Sequence, residues 1–192
     1  MHWTLHSAVQ DRLQRLLGRK NAFTEHPFEE MGRIGDLYWR TQKIVFEIQV
    51  SPIHPLEVAA RTEAYNRIGI GVVWILHDSL YNRRRLTGTE LYLQGRLHYY
   101  TNIDRWGRGE FYDVAKQVHN GKVIAASPRF PVRLNRYMKF PHPHFERDHH
   151  FYGWTEHHFR KGEGMRSLVS SNPYRRLLDH LIREACAEAD RG

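Results

Sequence analysis

Apolar and polar positions alternate along this chain with two different periods, and the change of period separates helices from strands. Over residues 3–18, Leu5, Val9, Leu13 and Leu16/Leu17 recur at helical spacing and Gly18 supplies a stop, which predicts an amphipathic helix. "RKNAFTEHPFEEMGR" is polar and turn-rich, and is expected to be a connection. Two short apolar runs follow, about 34–39 and 44–50, joined by the polar "RTQK". "SPIHPLEVAARTEAYNRIG" predicts a helix from about Pro55 to Ile68, with Pro55 in its first turn and Gly69 at its end. Leu56, Ala60, Ala64 and Ile68 are its expected buried stripe. "IGIGVVWILHD" is apolar without alternation, as in a central strand covered on both faces. The order helix, strand, strand, helix, strand predicts an α/β core.

Past residue 80 the periods are less regular. "YNRRR" reads as a basic loop, and "TELYLQGRLHYYTN" as a strand pair turning near Gly95. Residues 109–118 suit a strand or a short helix. Residues 128–164, rich in Pro, His, Arg and aromatics, show no period and suit a loop or extended arm. "NPYRRLLDHLIREACAEA" predicts a closing helix capped by Asn172 with Pro173 behind it. These signals divide the chain into a core over 1–125 and a basic extension over 126–192 ending in that helix.

Composition changes the picture in two ways. A formal charge of +8 favours a polyanionic partner, and residues 128–176 carry ten Lys/Arg against four Asp/Glu. The lone Cys186 leaves no internal disulfide and no cysteine-based zinc site. The apolar run 68–76 is too short to cross a bilayer, and "MHWTLHSAVQDRLQRLL" lacks a basic start followed by an apolar block. A cytoplasmic protein without a membrane partner is the expectation.

The hairpin carries the candidate chemistry. Pairing through "RTQK" sets Trp39 against Ile44, Tyr38 against Val45, Leu37 against Phe46, and therefore Asp36 against Glu47. Like charges directly opposite are destabilising, and two close carboxylates resist joint ionisation without a cation. A divalent metal with oxygen ligands, Mg²⁺ or Mn²⁺, resolves the conflict. Gln49, two residues from Glu47, shares its face. The competing reading is an ordinary salt-bridged surface pair. On the next helix Arg61 and Tyr65 stand four apart, away from the Leu56/Ala60/Ala64 stripe. Either Arg61 pairs with Glu57 one turn earlier, or Arg61 and Tyr65 meet a phosphate.

The succession "GRIGDLYW", "IVFEIQVSPI", Arg and Tyr four apart, then "VVWIL" resembles the nuclease domain of the competence protein CoiA-like family, within the PD-(D/E)XK nuclease superfamily. The matching positions are Glu25, Gly32, Arg33 and Asp36; Glu47, Gln49 and Ser51; Arg61 and Tyr65; and Trp74–Leu76. The likeness spans about residues 25–78. It implies a restriction-endonuclease-like core, a central mixed sheet flanked by helices, and Mg²⁺-dependent cleavage of nucleic acid, DNA rather than RNA. Asp36 and Glu47 would hold the metal, with Glu25 as a further carboxylate or an ordinary exposed acid. Asp36, Glu47 and Gln49 would form the catalytic set. Gln49 replaces the superfamily's usual Lys, and an amide orients water without acting as a base. Arg33, Ser51, Arg61 and Tyr65 would contact nucleic acid. Gly35 stands where the family pattern has Ala, a change expected to be harmless.

Other groups fit less specific roles. The basic "RRR" of Arg83, Arg84 and Arg85 suits a phosphate patch or a solvated charge run. The six histidines of residues 140–160 suit a zinc site poorly, because no helical i, i+4 pair or cysteine accompanies them; a base-stacking surface, plain packing or a dimer contact suits them better. His6 could approach the site from the first helix. Three functions follow: a metal-dependent nuclease in DNA uptake, repair or defence, as a single chain or a homodimer; a non-catalytic nucleic-acid-binding accessory factor on the same fold; or a histidine-site zinc protein.

Overall fold

The fold is known from a computed structural model, which describes residues 4–93, 96, 98–114, 116–126 and 129–135. The closing helix, the histidine-rich stretch and Cys186 lie outside the described residues. The chain divides into two compact units: the first holds the residues up to Tyr81 together with His98–Glu110, and the second holds the remainder.

The first unit begins with α1, Leu5–Leu17. Thr4 caps it: the Ser7 amide donates to Thr4 Oγ1 (3.1 Å) and the Thr4 amide donates to Ser7 Oγ (3.0 Å), so two otherwise unpaired donors are satisfied reciprocally. Its apolar side buries Ala8, Val9, Leu13 and Leu17. Strands β1 (Ala22–Phe28), β2 (Arg33–Trp39), β3 (Ile44–Gln49), β4 (Gly71–His77) and β5 (His98–Thr101) form a mixed sheet in that spatial order. The first three are antiparallel; β4 runs parallel to β3, and β5 parallel to β4. Helix α2, Pro55–Arg67, makes the crossover that a parallel pair requires. All six residues of β3 are buried, as are six of the seven in β4, so both strands are covered on both faces. This is the α/β core that the order of elements predicted, with the mixed sheet and flanking helices that the resemblance implied.

Three local expectations are corrected. The polar stretch after α1 contains β1, disguised because it is an outer strand of this unit: only Ala22 and Phe28 of its seven residues are buried, and Pro27 is tolerated where an amide has no second neighbour to bond. The stretch read as a strand pair near Gly95 holds a short helix, α3 (Gly88–Leu93), before β5. The buried side of α2 is the reverse of the one predicted. Leu56 is 72% exposed, and Val58 and Tyr65 face inward instead. Polar anchoring, described below, overrides the apolar stripe.

In the second unit β6 (Phe111–Asp113) pairs with β9 (Phe130–Pro131), and β7 (Lys116–His119) pairs with β8 (Lys122–Ala126). Here α3 contributes the buried Glu90, which accepts from the amides of Asn82 (2.8 Å) and Thr87 (2.9 Å) and so pins both ends of the loop carrying Arg83, Arg84 and Arg85. No helix among the described residues is long and apolar enough to cross a membrane.

Gly35 is not freely exchangeable with the Ala of the family pattern. A Cβ there would lie 2.8 Å from a methyl of Val45, 2.9 Å from the Phe28 ring and 3.1 Å from the Tyr65 hydroxyl. Val45 and Phe28 are themselves buried, so neither can swing away. Gly35→Ala is therefore expected to lower stability by about 1–3 kcal/mol, the usual cost of overpacking, read as a reduced urea midpoint at unchanged slope.

Candidate active site

The hairpin register begins as predicted. Trp39 pairs with Ile44, Tyr38 with Val45 and Leu37 with Phe46. A 3₁₀ turn over Arg40–Gln42, with Lys43 in the left-handed conformation, reverses the chain. Regular pairing then ends, and the Asp36 side chain takes over from the backbone: its Oδ2 accepts the Ile48 amide at 2.6 Å. The same oxygen lies 3.2 Å from His6 Nε2 on α1. Asp36 is thus held by the strand beside it and by the helix above it.

Glu47 is only 2% exposed, in the middle of β3. Both its oxygens are engaged from α2: the Tyr65 hydroxyl donates to Oε1 (2.7 Å) and Arg61 Nη1 to Oε2 (3.1 Å). Arg61 also donates through Nε to Glu57 (2.8 Å), and Arg33 reaches that carboxylate at 3.2 Å. Arg61 thus makes the pairing with Glu57 that its spacing allowed, and it also turns inward to Glu47, a contact that neither alternative foresaw. This explains why α2 hides its polar side. A buried carboxylate needs partners, and satisfying it outweighs burying Leu56. Trp74 on β4 adds a bond from its indole N–H to Thr62 Oγ1 (3.1 Å), fixing the same side of α2.

The electrostatics follow from this burial. Desolvation, then the nearby Asp36 charge, raises the Glu47 pKa to about 7, against the opposing pull of Tyr65 and Arg61. The Asp36 hydrogen bond raises the His6 pKa, with burial opposing it. Burial and the Glu47 charge raise the Tyr65 pKa, so it remains a phenol and a donor. Glu57, bonded to Arg61 and Arg33, is held below the ordinary carboxylate range.

The remaining candidates lie at varying distances from this centre. Gln49 is buried on the same strand as Glu47, but its amide donates to the Ser51 carbonyl (2.6 Å) and hydroxyl (3.1 Å). Glu25 occupies β1 between Thr24, paired with Leu37, and His26, paired with Gly35, so it comes level with Asp36. Its φ of 47° marks a local irregularity in the strand. Gln10 bridges the two positions, donating to Glu25 Oε1 (2.7 Å) and to the Asp36 carbonyl (2.6 Å). Sequence reasoning missed Gln10. The available signal was that His6 and Gln10 continue the Leu13/Leu17 stripe toward the helix start, which puts two polar groups on an inward face. Arg83, Arg84 and Arg85 are exposed in the second unit.

Two carboxylates that converge in a half-dry setting, one of them pushed toward neutrality, match the donor chemistry of a hard divalent cation. The fit is to two acids. Among the described residues no group of three or more His, Cys, Asp or Glu side chains stands close enough to hold a metal ion, and Glu25 as placed is turned to Gln10.

The model of the family described as "Competence protein CoiA, nuclease-like domain" matches residues 5–105. No curated protein and no solved structure gives a significant match.

The raised Glu47 pKa links stability to pH in metal-free protein. The folded value lies above the unfolded value of 4.5, so this contribution is complete below pH 4.5 and is lost as pH rises through about 7. The stability difference between wild type and Glu47→Gln should shift against wild type over that window, by on the order of 3 kcal/mol, and level off above it. Urea titrations in chelator from pH 4.5 to 8.5 measure it, and a flat difference would refute the assignment.

Proposed function

The chain belongs to the competence protein CoiA nuclease-like family, and from that premise we propose that it is a metal-dependent nuclease hydrolysing phosphodiester bonds, with DNA as its substrate. The observation that carries this reading is the pair Asp36 and Glu47: a buried carboxylate beside a second acid, faced by one guanidinium shared with Glu57 and by the His6 imidazole, which together leave the Glu47 pKa raised. A pair so placed is short of positive charge, and Mg²⁺ or Mn²⁺ bound by Asp36 and Glu47 would supply it, activating a water and stabilising charge on the phosphate.

The chain's own residues have assignable parts. The Ile48 amide and His6 orient Asp36, and Tyr65 and Arg61 orient Glu47. Gln49 positions water through its amide and cannot take its proton as a general base. Glu25 is a further acid, within reach of the centre once Gln10 releases it. Arg33 and Arg61, partly exposed, neutralise the backbone on the substrate side, and Ser51 lines the end of β3. Arg83, Arg84 and Arg85 add phosphate contacts.

The expected results are concrete. Purified protein nicks plasmid DNA with Mg²⁺ or Mn²⁺, and Asp36→Asn and Glu47→Gln reduce nicking to background while their circular dichroism is unchanged. Gln49→Ala slows turnover by roughly 10–100-fold, as expected for a group that orients a ligand rather than supplying the chemistry. Mn²⁺ raises the wild-type melting temperature but not that of Asp36→Asn, a readout independent of cleavage.

A second reading is supported by two specific contacts. Arg61 already sits on Glu47 Oε2, and the Gln49 amide is turned to Ser51. A non-catalytic nucleic-acid-binding factor would keep such an arrangement for structure alone. It would bind DNA with steep salt dependence, cut nothing with either metal, and tolerate Glu47→Gln.

A further inference from the structure

On another side of α1 from His6 and Gln10, the loop after β5 presents a tryptophan to solvent. Trp106 is 65% exposed. Its position is built rather than loose. Asp104 Oδ1 accepts the amides of Trp106 (2.9 Å) and Arg108 (3.0 Å), the Gly107 amide closes the turn onto the Asp104 carbonyl (2.9 Å), and the Glu110 amide donates to Asn102 Oδ1 (2.8 Å). Gly107 and Gly109, at φ 77° and 130°, permit a backbone that side chains with Cβ resist. The indole is flanked by cations, with the guanidinium carbons of Arg105 and Arg108 at 4.2 and 5.0 Å from its centroid.

Between this loop and α1 lies a cleft of about 260 Å³, lined by Ala8, Asp11, Arg15, Arg105, Trp106 and Gly107. Arg15 and Arg19 both bond Asp11, and Arg108 bonds Asp104, so four arginines here face two aspartates. Among the described residues Arg105 pairs with no carboxylate; its interaction is with the indole ring. A rigid exposed indole, cations around it and a cleft on the scale of one nucleotide are the components of a stacking site for an unpaired base. Each base has a π face to lay on the ring, while guanidiniums meet the adjoining phosphates.

The geometry points to a subsite for single-stranded nucleic acid at this cleft, with one unpaired base stacked on Trp106 and its phosphates on Arg105 and Arg15. A duplex keeps its bases stacked on one another and cannot offer a free face to the indole except at an end, so the site selects single strands or frayed ends. This inference rests on the reading that the protein acts on nucleic acid, and it specifies which form. The helix that forms one wall of the cleft also carries His6, whose ring lies 3.2 Å from the Asp36 carboxylate.

Fluorescence anisotropy of labelled 12-mer oligothymidylate, oligouridylate and a 12-base-pair duplex, in chelator so that nothing is cut, tests it on the full chain. Wild type should bind the single strands more tightly than the duplex. Trp106→Ala should weaken single-strand binding by about tenfold or more, with Trp106→Phe restoring most of it and duplex binding little changed. Arg105→Ala should flatten the salt dependence by about one phosphate contact for every sequence. Single-strand binding unaffected by Trp106→Ala overturns the subsite but leaves the nuclease proposal standing. No binding to any probe, together with no cleavage in the plasmid assay, overturns the nuclease reading and this inference together. Self-association of wild type, abolished by Trp106→Ala and without single-strand binding, assigns the indole to a second copy of the chain and also overturns the subsite.

Discussion

A carboxylate inside a sheet is the constraint from which the rest of the first unit follows. Glu47 lies in a strand covered on both faces, where an unpartnered charge would be prohibitive. Its two oxygens therefore require donors, and α2 supplies them from Arg61 and Tyr65. That requirement sets the rotation of the helix, leaves Leu56 in water and leads outward through Glu57 to Arg33. Tyr65 in turn packs edge-on against Phe28 of β1, at 5.2 Å between centroids, and its hydroxyl leaves Gly35 no room for a side chain. One buried acid thereby fixes positions on two other strands and a helix.

The second acid is held by a different device. Where the regular β2–β3 pairing ends, Asp36 continues the link with its own side chain, which accepts the Ile48 amide. Charge-assisted bonds from an amide are strong, and this one ties β3 to β2 beside the two acids. Helix α1 completes the arrangement with His6 on the carboxylate and Gln10 on the carbonyl of the same residue. The residual imbalance is visible in Glu47, whose pKa near 7 records that the local donors offset burial and Asp36 only in part. A cation at the two acids, as proposed, would relieve that imbalance.

The family relationship and the hairpin were legible in the chain because both depend on short-range order. Spacing of two places Gln49 on the face of Glu47, and a polar four-residue turn sets the register for three pairs. The β1 strand was not legible: an outer strand with a proline and exposed polar residues carries almost none of the alternation that reveals an inner one. Gln10 was overlooked because an amide on a helix reads as surface until the strands beneath it are known. The orientation of α2 was misread for a related reason, since hydrophobic periodicity assumes that apolar burial decides which side faces in.

The sequence by itself determined the α/β order, the hairpin, and the identity and spacing of its acids, because each is set by neighbours a few residues apart. Only the tertiary structure decided what those acids are to one another. Burial, which no local pattern encodes, turned Glu47 into a group poised near neutrality. The meeting of α1, α2 and β1 around the hairpin converted Arg61 and Tyr65 from surface candidates into its partners, and the pairing of β1 with β2 brought Glu25 level with Asp36.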